Sequence, residues 1–451
     1  MAQAQATSGA TTAFPHFDLT SPDMVARLTL SLRTAVAALC ALLVFFTFTP
    51  FAAGSLSAEE ASRASGNALN QVGYIGMAGI AFLALAALAE RRRLLFLAQW
   101  QWLVLGGILI LSMAAAPNSD LAMRGIFFTL VGMSITAAIV LLPRTEADFR
   151  AAMTFAVVLV LAVSYFGVLV LRDHAVHLEA DAEGHSGLWR GIYSHKNFAG
   201  PVMAGLTLYG IYAMRSGSRL LGLVIIAASA FFVLQTGSKT TAGFLPLAIA
   251  VVSLRRVFGS ASLVIAAHIV LVVLVAVLTV GSAFNPAIEA VTRHIIADTT
   301  FTGRDDIWRF GVANMPGGLF GSYGFYGFWG TDIPLMRELD PRAAWDVRLI
   351  VSGHTNLIDT VLHFGFLPAA VVLFVLLVLP AWHYRNACRI PENRRAADFF
   401  MMTVTLMGMI SSLETFFFAR AMTMWLFFFL AVFGLACLGR NGRRFWPDEA
   451  A

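Results

Sequence analysis

Apolar residues in this chain run in continuous blocks. They neither alternate in and out as sheet strands do nor sit opposite a polar helical face. A hydrocarbon core of about 30 Å needs about 20 helical residues. On that length scale the blocks predict twelve membrane spans, near 32–53, 71–89, 94–115, 123–142, 151–171, 198–214, 220–236, 241–254, 261–283, 365–382, 397–413 and 421–438. Continuous blocks argue against a sheet barrel, whose strands would alternate. The expected fold is therefore all-α and polytopic. It divides into an N-terminal segment 1–31, nine helices over 32–283, a large loop 284–355, three helices over 356–438 and a tail 439–451. The eighth block is short and carries Pro246, so a tilted, broken or re-entrant helix is expected there. Residues 356–364 are expected to lengthen the tenth span.

Composition supports the same class: 58% of residues are hydrophobic, only 13% are charged, and mean hydropathy is +0.76. No cleavable leader stands out before the first block. Cys40, Cys388 and Cys437 form neither a disulfide framework nor a metal-ligand spacing. Charge then predicts orientation. With Met1 on the cytoplasmic side, 18 of the 31 basic residues fall in inner segments, among them Arg91 to Arg93, Arg255 and Arg256. Both termini are thus expected to be cytoplasmic. The net charge of +5 is explained by these arginines and requires no nucleic acid.

Candidate chemistry gathers on the other face. The polar connector 172–197 ends in LWRGIYSHKNFAG, where Arg190, His195, Lys196 and Asn197 precede a helix whose first-turn amides face outward. This cluster suits an anionic headgroup, and it equally suits anchoring at the lipid interface. Lys239 lies in the turn LQTGSKTTAG, against the inner bias. Headgroup snorkelling and a functional role are both open to it. The loop holds TFTGRDDIWRFGVANM, read as a helix with an apolar side and acidic first turn. Arg304 and Arg309 there have neighbouring aspartates as candidate partners. The following GGLFGSYGFYGFWG offers rings for stacking on sugars or for burying the loop. VSGHTNLIDTVLHFG brings His354 and Asn356 to the mouth of the tenth span. A histidine titrates near neutrality and so suits a base, although capping the helix is the plainer role. Glu414 and Arg420 flank the last outer turn and are expected to pair. His174, His177 and His185 match no metal-ligand spacing, and no nucleotide-binding loop is present. A secondary transporter is the main alternative class for twelve spans. His268 is the clearest polar residue within a span.

WRGIYSHKNFAG, TGSKTTAG, TGRDDIW and GHTNLIDTVLHFGFLPA, in this order over roughly residues 70–440, resemble the bacterial O-antigen ligase and polysaccharide polymerase superfamily. The resemblance implies about twelve helices in the inner membrane, with the large loop between helices 9 and 10 periplasmic. It also implies a metal-independent, inverting glycosyltransferase without a cofactor. Its donor would be an undecaprenyl-pyrophosphate-linked oligosaccharide and its acceptor a glycan or lipid A-core. Other implied partners are membrane lipids and the flippase and chain-length regulator of the same pathway. On these motifs the catalytic residues correspond to His354, Arg304 and Lys239, with Arg190, His195, Lys196, Asn197 and Asn356 binding substrate. Lysine at 239 departs from the ligase pattern, which has arginine. Together with the His–Lys–Asn motif it points towards an exopolysaccharide polymerase, with ligation as the alternative.

Overall fold

The structure, a computed structural model, describes residues 22–46, 50–51, 68–178, 185–338, 345–440, 442 and 444–447. Among them there are no strands, and only an isolated bridge joins Val176 to Trp189. The main helices are α1 (Pro22–Phe45), α2 (Ala68–Leu88), α3 (Trp100–Ser112), α4 (Ser119–Leu141), α5 (Glu146–Val170), α6 (Lys196–Arg215), α7 (Arg219–Gln235), α8 (Lys239–Phe258) and α9 (Ala261–Thr279). Then come α10 (Pro286–Arg293), α11 (Arg304–Ala313), α12 (Asn356–Phe364), α13 (Phe366–Ala387), α14 (Arg394–Ile410) and α15 (Thr423–Gly439).

Seven of these, α1, α2, α4, α5, α8, α9 and α13, are long and apolar enough to cross a membrane, and α3, α7 and α15 are apolar but shorter. Burial explains why length does not track position. Every residue of α15 is buried, and so is every residue of α14 from Ala396 onward. These two helices pack on each other, and both pack against α6 and α13. A helix apolar all round belongs inside a bundle. The outer helices turn Phe82, Leu83, Leu111 and Leu220 outward, as a lipid-facing surface requires.

Three local expectations fail for identifiable reasons. The first helix begins at Pro22, ten residues before the predicted span. Around Pro246 the chain stays helical, and α8 runs unbroken for 20 residues. The segment 356–364 does not extend the tenth span. It is the separate helix α12, divided from α13 by Gly365 at φ +85°, where a Cβ would stand 2.8 Å from the Phe320 backbone. Within α13 one π turn spans Phe374–Val378. Buried His268 of α9 faces it, with Nε2 2.9 Å from the Leu377 carbonyl, so that nitrogen is the donor and Nδ1 faces the Thr405 hydroxyl at 3.1 Å.

The large loop is itself folded. Within the stretch 300–315 read as a helix, 304–313 is one, with Asp305 and Asp306 in its first turn and Ile307, Trp308 and Phe310 buried. These residues form a small core with Phe328, Trp329, Ile358, Leu362 and Leu413, flanked by Phe244 of α8. The glycine-aromatic strip thus supplies part of the loop's interior through Phe328 and Trp329, while Phe320 stays exposed. Burying a side chain such as Phe328 contributes roughly 1.5–3 kcal/mol. This core seats α11 on α12 and on one end of α8.

Candidate functional site

Helices α8 and α14 pack side by side and run antiparallel. Arg255, near the end of α8, donates to Asp398, near the start of α14, through Nη2 at 2.7 Å and Nε at 3.2 Å. Lys239 precedes Arg255 by 16 residues and Glu414 follows Asp398 by 16. At 1.5 Å per residue, both lie about 24 Å away at the opposite end. That end also receives the folded loop.

Arg304 opens α11 behind a turn in which Phe301, Thr302 and Gly303 all have positive φ. Asp298 stabilises the turn by accepting from the Thr300 hydroxyl at 2.6 Å and from the amides of Thr300 and Thr302. The Trp345 indole donates to Thr302 O at 2.7 Å. Asp298's carboxyl is held below the usual range, first by the Thr300 hydroxyl and in part by the charge of Lys239. Lys239 is exposed at the first position of α8 and therefore flanks the turn that delivers Arg304.

Arg304 points away from its neighbouring aspartates. Its Nη2 donates to Glu414 Oε1 at 2.8 Å and its Nη1 to Leu413 O at 2.5 Å, whereas Arg309 stays local, 3.7 Å from Asp305. Glu414, for which a partner in Arg420 was expected, instead faces Arg304 with one oxygen and His354 Nδ1, at 3.8 Å, with the other. Burial alone would raise the Glu414 carboxyl. The charge of Arg304 and the nearby His354 outweigh it and hold the group at about 2. At that distance the His354 contact is too long for a hydrogen bond.

His354 is 5% exposed and sits at φ +49°, a left-handed conformation that costs a residue with a Cβ roughly 1–2 kcal/mol. Its neighbours fix it there. Gly353 donates its amide to both oxygens of Asp359 at 3.0 and 2.9 Å, and its carbonyl accepts from Trp308 Nε1 at 3.0 Å. Asp359 is 2% exposed and also accepts from Trp329 Nε1 and the Thr415 hydroxyl. On the far side of His354, the Thr355 hydroxyl caps α12. Strain maintained by so many buried bonds marks a side chain held in position.

Asn356, a candidate substrate contact, lies inside the fold. It is 1% exposed, and its carboxamide is engaged by the connection after α14: Nδ2 donates to Glu414 O, and Oδ1 accepts from the Phe416 and Phe417 amides. Its role is to hold Glu414 in place. Arg190 is likewise internal, at 4% exposed, with Nη1 donating to Tyr193 O at 3.2 Å. That bond braces the chain locally.

The rest of the opening motif meets the Lys239 turn. Trp189 donates its amide to Gln235 O, and Leu188 lies over Gly237. Gly200 lets α6 approach Ser238 so closely that a Cβ would sit 2.9 Å from that side chain. His195 caps α6 by accepting from the Asn197 amide at 3.1 Å, and Lys196 and Asn197 are half-buried in the first turn. The connector before them is pinned by the Val176–Trp189 bridge; its acidic part, 179–184, lies outside the described residues. The rings of His177, His185 and His195 approach to 5.0–5.6 Å, while His174 is exposed and apart. Among the described residues no group of three or more His, Cys, Asp or Glu side chains is arranged to hold a metal.

Sequence reasoning missed Glu414 as the partner of Arg304 and His354, and Asp359 as the clamp behind His354. The one available signal for Glu414 was a lone carboxylate in the last outer turn. Asp359 stood within the GHTNLIDT motif with nothing to mark its partners. No protein-family model matches this chain, and no curated protein matches it.

Proposed function

We propose that the chain is a membrane glycosyltransferase that moves glycan from a polyprenyl diphosphate donor to a sugar hydroxyl with inversion, most simply to extend a cell-surface polysaccharide. In this reading twelve helices cross the bacterial inner membrane, the termini are cytoplasmic, and the Arg304 end faces the periplasm. One observation carries the proposal: α6, α8 and α11 each open on a cation, Lys196, Lys239 and Arg304, at the same end of the molecule as His354. A cation at a helix N-terminus is disfavoured by the helix dipole; Glu414 partly offsets Arg304, and the clustered cations with the amides of these helix starts still make a field suited to a strongly anionic group.

The chemistry balances without an added reactant. His354, with Nδ1 turned to Glu414, uses Nε2 to take the proton of the acceptor hydroxyl. The acceptor oxygen bonds to the anomeric carbon from the side opposite the diphosphate. The bond from that carbon to the diphosphate oxygen breaks, and the electron pair leaves with the polyprenyl diphosphate. Lys239 and Arg304 stabilise the charge that develops on the leaving group. Glu414 keeps the imidazole oriented and stabilises its protonated form, as a carboxylate does behind a histidine base.

The test supplies purified full-length protein in lipid with an undecaprenyl-diphosphate oligosaccharide, candidate acceptors and a chelator. Chain growth that H354A, K239A and R304A abolish without loss of fold is the expected result. A single transfer onto lipid A-core would select ligation. Activity that disappears with chelator and returns with a divalent cation would overturn the metal-free mechanism. Carrier translocation with no glycosidic product would overturn the enzymatic reading.

A further inference from the structure

The opposite end of the same helices holds a second arginine cluster that the proposed reaction does not use. Asp398 is 1% exposed and accepts from Arg255 and from the Tyr384 hydroxyl, with Arg215 and Arg256 each 3.8 Å from Oδ2. One carboxylate thus already has three guanidinium neighbours. Beside it opens a cavity of about 330 Å³ lined by Arg255, Arg385, Arg389, Arg394 and Ser262, with Ala261 at its edge. Among the described residues no carboxylate lines it.

Each wall follows from the fold. Gly259, at φ +70°, turns the chain sharply from the end of α8 into α9, so Ala261 and Ser262 are the first two residues of a 19-residue helix. The amides of a helix's first turn lack acceptors within the helix. Ser260 caps only the Leu263 amide. On the other side, α13 ends with Arg385 in its last turn, Arg389 follows, and Arg394 is the first residue of α14. Arg394 Nε donates to Cys388 O, which fixes that guanidinium at the rim. No carboxylate within 4 Å pairs with Arg385, Arg389 or Arg394 among the described residues, and Arg385 lies over the Trp382 ring at 5.6 Å. Arg255 is paired with Asp398, which leaves three guanidinium groups without a carboxylate partner among the described residues around one open cavity.

We infer that this cavity is a binding site for a phosphate-bearing anion, at the membrane face opposite His354. Planar guanidinium forks bind phosphate oxygens in pairs, and a helix N-terminus adds amide donors and a favourable dipole. The volume is at the lower end of the roughly 300–1,000 Å³ of small-molecule sites, enough for a headgroup or a small phosphate compound. Val257, Phe258 and Trp382 are exposed beside the cavity, an apolar and aromatic rim of the kind found at the lipid–water boundary. That rim favours the headgroup of an anionic phospholipid over a free phosphate, since basic pockets between membrane helices suit such headgroups.

The test compares the full-length protein with R385Q/R389Q, which leaves the Arg255–Asp398 pair intact. In one arm, each protein is purified from membranes containing phosphatidylglycerol, cardiolipin and phosphatidylcholine, and retained lipid is measured by native mass spectrometry. In the other arm, inorganic pyrophosphate is titrated against unfolding temperature in a neutral detergent. Preferential retention of anionic lipid, falling about tenfold in R385Q/R389Q and restored in R385K/R389K, supports the site and assigns it to a headgroup. A pyrophosphate-dependent rise in unfolding temperature, lost in the same variant, supports the site and assigns it to a free phosphate. If the double variant does not fold, R389Q alone and displacement of retained lipid by pyrophosphate from the unmodified protein give the same reading. Unchanged lipid retention with no response to pyrophosphate beyond that of equal ionic strength in chloride overturns the inference.

Discussion

Neutralising Glu414 is the sharpest probe of how the Arg304 end is assembled. Its carboxyl falls from an ordinary 4.5 to about 2 because Arg304 and His354 outweigh the effect of burial. At 1.36 kcal/mol per tenfold change, that fall corresponds to about 3 kcal/mol of native-state stabilisation. The side chain is 16% exposed, so solvent screening removes only part of this. Glu414→Gln keeps the shape and one acceptor for Arg304 but removes the charge, so a loss of about 2–3 kcal/mol at pH 7 is expected. The sign follows from linkage. A carboxyl whose folded value lies below its unfolded value stabilises fully above about 4.5, and the contribution disappears as pH falls towards about 2. Equilibrium unfolding in mixed micelles between pH 7 and 3 should therefore show the gap between the unmodified protein and E414Q narrowing only below about pH 4.5. Taking the difference between the two proteins cancels carboxylates common to both. R304Q should cost a similar amount, and R304Q/E414Q should show a coupling of about 1–3 kcal/mol. A difference that stays flat down to pH 3, or strictly additive single variants, would refute the ion pair as the organiser of this end.

Other substitutions separate position from chemistry. His354→Gly should unfold about 1 kcal/mol less readily than His354→Ala, because only glycine occupies φ +49° without strain, and both should be inactive in transfer; equal stabilities would argue against the left-handed backbone. Gly353→Ala would place a Cβ 2.6 Å from Asp359 Oδ1, and a cost of about 1–3 kcal/mol with lost transfer is expected from a denaturant titration and the glycan assay. Lys239→Arg should keep appreciable transfer activity while Lys239→Met loses it; total loss in both would argue against stabilisation by charge alone. His268→Leu should destabilise the protein by about 1–3 kcal/mol, since it removes the buried imidazole's contacts with the Leu377 carbonyl and the Thr405 hydroxyl, yet leave the transfer rate unchanged. A proton-coupled transport activity that vanished in H268L would instead favour the transporter class.

How far the sequence could be read follows from the range of each interaction. Blocks of apolar residues marked where helices form, because burying or lipid-facing a run of such side chains is a local property of the run. The helix at 304–313 was legible for the same reason: its acidic first turn and apolar side are separated by single turns. Pro246 misled because a bundle that packs α8 against α14 tolerates one missing amide donor. The aromatic strip, Arg190 and Asn356 were hard to read for another reason. A polar group or a ring at a membrane rim has no visible partner in the sequence. The structure packs Phe328 and Trp329 against other apolar side chains, sets the Arg190 guanidinium against Tyr193 O, and engages Asn356 with the main chain at 414–417.

Sequence alone determined that this chain is helical, apolar enough for a bilayer, and basic at one set of helix ends. Those features depend on side-chain transfer energies summed over neighbours in the chain. Only the tertiary structure decided that Glu414 meets Arg304 and His354, that Asp359 locks Gly353, and that four arginines from three helix ends and the turn between two of them line one cavity. These contacts join residues from 6 to more than 100 positions apart. A hydrogen bond or ion pair acts over a few ångströms of space, so the helix packing, and not the order of residues along the chain, selects its partners.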